Sequence, residues 1–221
     1  MKKQILLVVF SATSFLGFAQ VKPVFKISAG VSSSSIQGDA ADQLNNILDY
    51  TNGMITTNSS IGFYAGASAG IPISKMVSIE PGLYYTQKGY EMKGQLNLKG
   101  LDFLGASAKA KLQMQYIDIP ILLKVNMNGF QVFAGPQVSY LTQADLKTTA
   151  GVFGINLLNK KMDATDQLNR WDMGVTGGVG YQFNNGLNIS ASYDRGLSNV
   201  DANKNFNSYN QTFRVGIGYN F

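Results

Sequence analysis

The chain has 221 residues and a formal net charge of +5, and only 14% of its residues are charged against a usual ~25%. That composition excludes a highly charged disordered chain and fits poorly with an ordinary soluble enzyme. Cysteine and histidine are absent, which excludes disulfides, Cys/His metal sites, thiolate nucleophiles and histidine-based catalysis. We therefore expect a non-enzymatic protein that needs no cofactor.

Residues 1–19 have the pattern of a secretory signal peptide. Lys2 and Lys3 give a basic start, an apolar run follows, and the small residues Gly17 and Ala19 precede the expected cleavage site. An N-terminal membrane anchor is the alternative, but the apolar stretch is short for a span of ~20 residues. No cysteine follows the cleavage site, so the pattern is not that of a lipoprotein. The remaining basic and acidic residues nearly balance and are scattered, so no nucleic-acid partner is expected.

After this leader, eight segments alternate apolar residues with small or polar ones, which is the period of a β-strand. Most of them have 9–13 residues, which is long enough to cross a bilayer at a tilt. No apolar run approaches the ~18 residues of a transmembrane helix. The predicted strands are 22–33, 61–71, 77–89, 113–125, 130–142, 171–183, 187–195 and 211–221.

The connections between these segments alternate between long and short, as outer loops and periplasmic turns do in membrane barrels. The short connections at 126–129 and 184–186 end in Asn-Gly, which favours tight hairpins. Alternation at 95–99 predicts that the third and fourth strands extend above the membrane, and residues 39–50 favour a short helix. The predicted long loops are 34–60, 90–112, 143–170 and 196–210.

Each segment carries apolar side chains on one face and small, polar or charged side chains on the other. A soluble barrel or sandwich buries its apolar face, whereas a membrane barrel turns that face to lipid and encloses the polar one. Abundant glycine on the polar face leaves room for Tyr64 and Tyr84 in a narrow lumen. We therefore predict that residues 20–221 form an all-β, eight-stranded antiparallel transmembrane up-and-down β-barrel in the cell outer membrane.

The charged side chains on the inward face are the one constellation that suggests chemistry. They allow a proton path, an ion path or a catalytic carboxylate pair, but buried charges must be paired in any case. An eight-stranded barrel is just wide enough inside for its own side chains, so we favour a structural network that fills the lumen. Its predicted members are Lys26, Glu80, Asp118, Lys124, Asp172, Asp194 and Arg214.

The spacing of these charges limits how they pair. Lys124 and Asp118 are six residues apart on one strand, a separation of ~20 Å, so each needs a partner on another strand. We expect Glu80 and Asp194 to be among the carboxylates that separate Arg214 from the cation on the first strand.

Aromatic residues on the apolar face fall near the two ends of the predicted strands, where aromatic girdles mark the membrane interfaces. The periplasmic girdle is predicted to contain Phe25, Phe130, Tyr181, Phe183, Tyr219 and Phe221. The outer girdle is predicted to contain Phe63, Tyr85, Tyr140, Trp171, Tyr193 and Phe213.

Five sequence motifs resemble those of the PorT-like outer-membrane β-barrel family of Bacteroidota. They are SIEPGLYYTQKG at 78–89, YIDIPILLK at 116–124, AGPQVSYL at 134–141, GGVGY at 177–181 and GIGYNF at 216–221. The resemblance covers most of the mature chain and implies an outer-membrane barrel. It is weakly informative about activity, and although one namesake is tied to type IX secretion, no loop motif here assigns that role.

These observations predict a non-catalytic integral outer-membrane barrel that presents extracellular loops for binding, adhesion or envelope assembly. The alternatives are a narrow channel or small-ligand carrier and, from the resemblance, a type IX secretion-associated assembly factor. Expected partners are outer-membrane lipid, the barrel-assembly machinery during biogenesis, and an envelope or extracellular protein bound through the long loops. No metal site is expected, because the acidic residues of the loops lack the spacing of a calcium loop.

Overall fold

The computed structural model describes residues 22–38, 55–96, 106–152, 155–202 and 207–221. The predicted leader at 1–19 and the predicted helix at 39–50 lie outside these ranges. No α-helix long and apolar enough to cross a bilayer occurs in the described part of the chain. The strands are β1 Val24–Gln37, β2 Ile55–Pro72, β3 Val77–Leu96, β4 Ala106–Met127, β5 Phe130–Val152, β6 Ile155–Asp163, β7 Trp171–Gln182, β8 Leu187–Gly196 and β9 Tyr209–Asn220.

Eight of these strands form a closed antiparallel ring in the order β1, β2, β3, β4, β5, β7, β8 and β9. Strands β9 and β1 close the ring through twelve register pairs, which run from Lys26 opposite Asn220 to Gln37 opposite Tyr209. The predicted fold class is thereby confirmed. Closure gives every strand of the ring a hydrogen-bonded neighbour on both sides. A sheet within the hydrocarbon of a membrane needs this, because no water is present there to bond a free edge.

The ring turns its apolar residues outward and its polar residues inward. Ile27, Ile121 and Ile217 are 52–60% exposed. In contrast, Asp118 and Thr212 on the opposite face are almost completely buried. A wall with isoleucine outside and carboxylates inside is stable only where the surroundings are apolar, so the outward face is the lipid-contacting face.

The short turns have the backbone that their sequences predict. Between β4 and β5, Asn128 and Gly129 both have positive φ, at 53° and 94°, as a type I′ hairpin requires. The Asn126 side chain accepts a hydrogen bond of 3.0 Å from the Gly129 amide. Gly186, between β7 and β8, has φ 87°.

Strands β3, β4 and β5 have 20, 22 and 23 residues, about twice the length that crosses a bilayer. They project beyond the outer aromatic residues as a sheet, in agreement with the predicted extension of the third and fourth strands; of the residues 95–99 on which that prediction rested, 97–99 lie outside the described ranges. The prediction that 143–170 is one long loop is wrong, because β5 continues to Val152 and β6 pairs back along it. Strand β6 is a ninth strand and lies outside the ring.

A β-bulge in β5 explains why alternation alone did not reveal this extension. The register steps from Tyr116 opposite Leu141 to Gln115 opposite Gln143, which leaves Thr142 as an extra residue. One extra residue reverses the parity of all later side chains. Odd-numbered residues of β5 therefore point inward below the bulge, and even-numbered residues point inward above it.

Candidate functional site

The periplasmic half of the lumen is held by one carboxylate between two lysines. Glu80 on β3 pairs with Lys26 on β1 at 2.5 Å and with Lys124 on β4. The Ser68 hydroxyl on β2 donates to the same carboxylate at 2.7 Å. The Glu80 group thus ties together four consecutive strands of the ring.

A second charge cluster lies at the middle of the lumen. The Arg214 guanidinium on β9 pairs with Asp118 on β4 at 2.6 Å and with Asp194 on β8 at 2.5 Å. Asp118 also pairs with Lys88 at 3.1 Å, and the Thr176 hydroxyl donates to Asp194. Because β9 and β4 are four places apart in a ring of eight, the Arg214–Asp118 pair spans the lumen from wall to wall.

Asp172, the remaining predicted member of the network, has no cation in contact among the described residues. One of its oxygens accepts a 2.9 Å hydrogen bond from the Asn210 side chain, and the other has no hydrogen-bond partner in the described structure. The expected proximity of Lys26 to Arg214 is wrong, because Lys26 lies opposite Asn220 whereas Arg214 lies opposite Ser32. Six residues of strand separate the two levels, so no bridging carboxylate is needed between them.

Lys88 is a buried member of the central cluster that was not among the predicted residues. Its Nζ contacts Asp118, donates to the Ser139 hydroxyl at 3.3 Å and lies 4.6 Å from the centre of the Tyr116 ring. The signal that identifies it is parity. Lys88 is eight residues from Glu80 on the same strand and so faces inward with it.

Tyrosine side chains fill the space beside the central cluster. The Tyr64 and Tyr84 rings meet edge to face at 6.3 Å, and the Arg214 guanidinium lies 5.5 Å from the centre of the Tyr64 ring. A Cβ at Gly216 would stand 2.2 Å from the Tyr64 hydroxyl oxygen. Glycine is therefore required there for the tyrosine to reach across the lumen, as the composition of the inward face predicted.

Two cavities that this packing leaves among the described residues are small. One of 50 Å³ lies between the two charge clusters, and another of 10 Å³ lies beside Asp172. Since a buried water needs ~10–15 Å³, they hold a few water molecules at most. A wider recess of 180 Å³ opens at the periplasmic turns, with Lys26, Glu80 and Lys124 at its floor.

The extracellular end of the lumen is closed by apolar side chains. Backbone hydrogen bonds fold the segments after β6 and β8 onto each other, from Asn169 to Val200 at 2.9 Å and from Ala202 to Gln167 at 3.3 Å. Beneath them lies a buried cluster that sequence alternation did not predict, because its β5 members stand on both sides of the bulge. It contains Leu112, Met114, Tyr116, Leu141, Ala144, Ala164 and Val200.

The predicted girdle aromatics pair in two groups along the outward face. In the outer group, the tilted rings of Tyr140 and Trp171 pack with their centres 4.9 Å apart, and those of Phe63 and Tyr85 pack at 5.6 Å. Tyr193 lies opposite Phe213 in the register. In the periplasmic group, Tyr181 packs on Phe183 and Tyr219 on Phe221, at 5.0 and 5.3 Å. Phe130 lies opposite Tyr181, and the Phe221 amide donates to the Phe25 carbonyl.

A closed antiparallel ring with an apolar outward face, ion-paired charges inside and aromatic residues toward both ends is a transmembrane β-barrel. The chain belongs to the outer membrane protein beta-barrel domain family, whose model matches residues 18–202. Together these findings show that the protein lies in the outer membrane.

Several solved outer-membrane barrels are similar to the chain. Neisserial surface protein A is 14% identical over 89% of this chain and 97% of its own, with a TM-score of 0.47. The attachment invasion locus protein Ail of Yersinia pestis, in complex with the heparin analogue sucrose octasulfate, is 16% identical over 90% and 99%, with a TM-score of 0.45. The outer membrane protease OmpT of Escherichia coli is 10% identical over 92% and 98%, with a TM-score of 0.44. No curated protein sequence matches the chain. These likenesses are too weak to carry an argument about function.

Proposed function

We propose that this protein is a non-catalytic outer-membrane barrel that presents its extracellular hairpins and loops for binding, adhesion or envelope assembly. The observation that carries the proposal is the closure of the lumen. The Arg214–Asp118 pair crosses it at mid-height, and an apolar cluster blocks it above. A barrel blocked in this way acts through the surfaces it presents rather than through transport along its axis.

The extended hairpins supply those surfaces. Strands β3 to β6 form a four-stranded sheet that continues far past the outer aromatic residues. Main-chain hydrogen bonds along the whole sheet make it stiff, which lowers the entropy cost of binding a partner. The channel or carrier alternative gains no comparable support, because the two cavities at and above mid-height are water-sized and the wider recess opens only at the periplasmic end.

We further propose how the chain reaches the membrane and where it originates. Residues 1–19 direct export as a cleaved leader, and the barrel-assembly machinery inserts residues 20–221. The motifs at 78–89 and 116–124 support a PorT-like origin in Bacteroidota. A role in type IX secretion stays the alternative that this resemblance raises.

Two measurements test the proposal. Purified protein in planar bilayers should give no steady single-channel current, and Arg214→Met should not open one. For binding, residues 149–159 are replaced by Asn-Gly, which rejoins the paired residues Thr148 and Lys160 as a tight turn. The control shortens a periplasmic turn by replacing 73–76 with the same dipeptide.

Proteins cross-linked to the wild type on intact cells should be lost with the shortened β5–β6 hairpin and retained with the control. Steady currents that Arg214→Met modifies would instead favour the channel. An unchanged set of cross-linked partners would remove the β5–β6 hairpin as the presented surface.

A further inference from the structure

The lumen widens at its periplasmic end into a cavity of 180 Å³, which we call the periplasmic recess. Its wall is made by inward-facing residues at the ends of the strands, and the β2–β3 turn forms part of its rim. Its floor is the cluster in which Lys26 and Lys124 share the carboxylate of Glu80. A single water needs only ~10–15 Å³, so the recess has room for a small organic molecule.

The floor of the recess carries an excess of one positive charge. The side chains of Lys26 and Lys124 are only 13% and 8% exposed, and one carboxylate serves both of them. Among the described residues that line the recess, Glu80 is the only acid, and the remaining charged side chain is that of Lys75. Because Lys75 is exposed at the rim, it adds a further positive charge that water screens.

This excess charge is local to the recess. The cluster at mid-height contains two cations and two carboxylates and is therefore balanced. Asp172, which has no cation in contact among the described residues, lies opposite Ser139, whereas Lys124 lies opposite Phe133. Six residues of β5 separate these two levels, which is ~20 Å, so Asp172 does not neutralise the floor.

The two ammonium groups of the floor also have spare hydrogen-bond donors. An ammonium group has three N–H donors, and Glu80 is the only acceptor that Lys26 or Lys124 contacts in the described part of the chain. The Phe133 ring lies 5.9 Å from Lys124 Nζ, but it lines the cavity above the floor and not the recess. Each lysine can therefore donate to a ligand without leaving Glu80.

Two amides of the wall add further donors. The Asn126 oxygen accepts a hydrogen bond from the Gly129 amide at 3.0 Å, and the Gln182 oxygen accepts one from Gln131 at 2.9 Å. With these oxygens engaged, the NH₂ groups of Asn126 and Gln182 are the parts of the two amides that have no partner among the described residues. Donors thus predominate in the lining, although the Asn220 oxygen also lacks a partner.

Charge, donors and size together select the kind of ligand. One negative charge restores neutrality at the floor, which a carboxylate supplies and a phosphate group of about −1.5 to −2 exceeds. Hydrogen bonds from ammonium to carboxylate are of the strong, charge-assisted kind. A halide ion would leave most of the 180 Å³ unfilled, whereas Val24 and Pro72 on the wall offer apolar contact to a larger molecule.

We infer that the periplasmic recess binds a small organic monocarboxylate from the periplasm. The carboxylate accepts hydrogen bonds from Lys26 and Lys124, and the apolar body of the molecule lies against Val24 and Pro72. Since the lumen is closed above the floor, the ligand enters and leaves on the periplasmic side. The recess shares no residue with the extracellular hairpins, so the two surfaces are tested independently of each other.

The test uses the full mature protein in phosphatidylcholine nanodiscs, with 4-fluorobenzoate as the probe. Fluorine NMR line widths, corrected for those in empty nanodiscs, give the dissociation constant. The test variant is Lys124→Met, which leaves Glu80 paired with Lys26 and Ser68 and removes the excess charge. Because a hydrogen bond to a charged group is lost, the dissociation constant should rise about tenfold or more.

A reciprocal variant and a matched control accompany this measurement. Lys26→Met leaves Glu80 paired with Lys124 and should weaken binding to a similar extent. Lys22→Met removes one positive charge at the same end of the barrel, but Lys22 is exposed and lies outside the lining, so binding should stay within twofold of the wild type. Unchanged heat-modified mobility shows that the variants fold.

Competing molecules test the chemistry of the ligand. The neutral 4-fluorobenzamide has nearly the same shape as the probe and should bind to the wild type about tenfold more weakly or worse. Acetate should displace the probe at lower concentrations than inorganic phosphate does.

Five results would overturn the inference. Absence of saturable binding by the wild type, or equal binding by the wild type and both lysine variants, would show that the floor is not a site. An equal loss with Lys22→Met would assign the effect to overall charge. Equal binding of the amide would show that the carboxylate is not recognised, and displacement by phosphate as effective as by acetate would contradict selection of a monocarboxylate.

Discussion

Replacing Arg214 by methionine tests whether the central cluster stabilises the barrel. The guanidinium makes ion pairs of 2.6 Å with Asp118 and 2.5 Å with Asp194, and all three side chains are buried. Without it Asp118 keeps Lys88, but Asp194 keeps only the Thr176 hydroxyl. Removal of one partner from a buried pair costs ~3–5 kcal/mol, because the other charge is left buried.

The stranded Asp194 carboxylate should account for most of this cost, and a second substitution isolates it. Asp194→Asn in the Arg214→Met background removes the unpaired charge while Asp118 stays paired with Lys88. We expect this double variant to lie within ~2 kcal/mol of the wild type, since a neutral replacement of a whole ion pair is often tolerated.

The free energy of unfolding is measurable by urea titration in lipid vesicles with tryptophan fluorescence. Trp171 is the single tryptophan of the chain and is 54% exposed on the outward face, so its emission reports departure from lipid. A loss below ~1 kcal/mol for Arg214→Met would contradict the proposed role of the pair. A double variant as unstable as the single one would show that the cost does not come from Asp194.

Two further predictions concern the wall and the hairpins. Ile121→Arg places a charge on the outward face near mid-membrane and should lower the free energy of unfolding by ~2–4 kcal/mol in the same titration. Ser190→Asn on the inward face should lower it by less than ~1 kcal/mol. Equal losses would refute the assignment of faces. Outside the membrane, burial disfavours the ionised form of Glu91, but hydrogen bonds from Lys109 and Lys93 outweigh it and hold the pKa of this carboxyl below its ordinary value. A lowered pKa stabilises the folded hairpin above the ordinary glutamate pKa, and that effect is lost as the pH falls. The protection factors of the β3–β4 amides, corrected for the intrinsic exchange rate at each pH, should therefore fall in acid, and Glu91→Gln should remove this pH dependence. An equal loss of protection in the glutamine variant would assign the effect to another group.

Much of the ring follows from the sequence because the relevant signals are local. A strand alternates its side chains with period two, so residues such as Ile121 and Asp118 reveal lipid and lumen faces without knowledge of their neighbours. Turn chemistry is equally local, and Asn128-Gly129 ends β4 where predicted. Lys88 was identifiable in the same way, by its parity with Glu80.

The partners inside the lumen depend on the closed ring. Arg214 meets Asp118 because closure brings β9 and β4 to opposite walls, and no spacing along the chain encodes that distance. Its separation from Lys26 follows from the register between β1 and β9, which a single strand does not display.

A single extra residue in β5 explains why the strand pattern beyond the membrane did not follow from the sequence. Thr142 bulges from β5 and reverses the parity of the residues beyond it, so Leu141 and Ala144 both point inward. In the sequence, this break in alternation has the appearance of a strand end although the strand continues. The sequence alone therefore determined which faces meet lipid and lumen. Only the tertiary structure decided how the lumen is closed, because the pairs that cross it depend on register between strands that are distant in the chain.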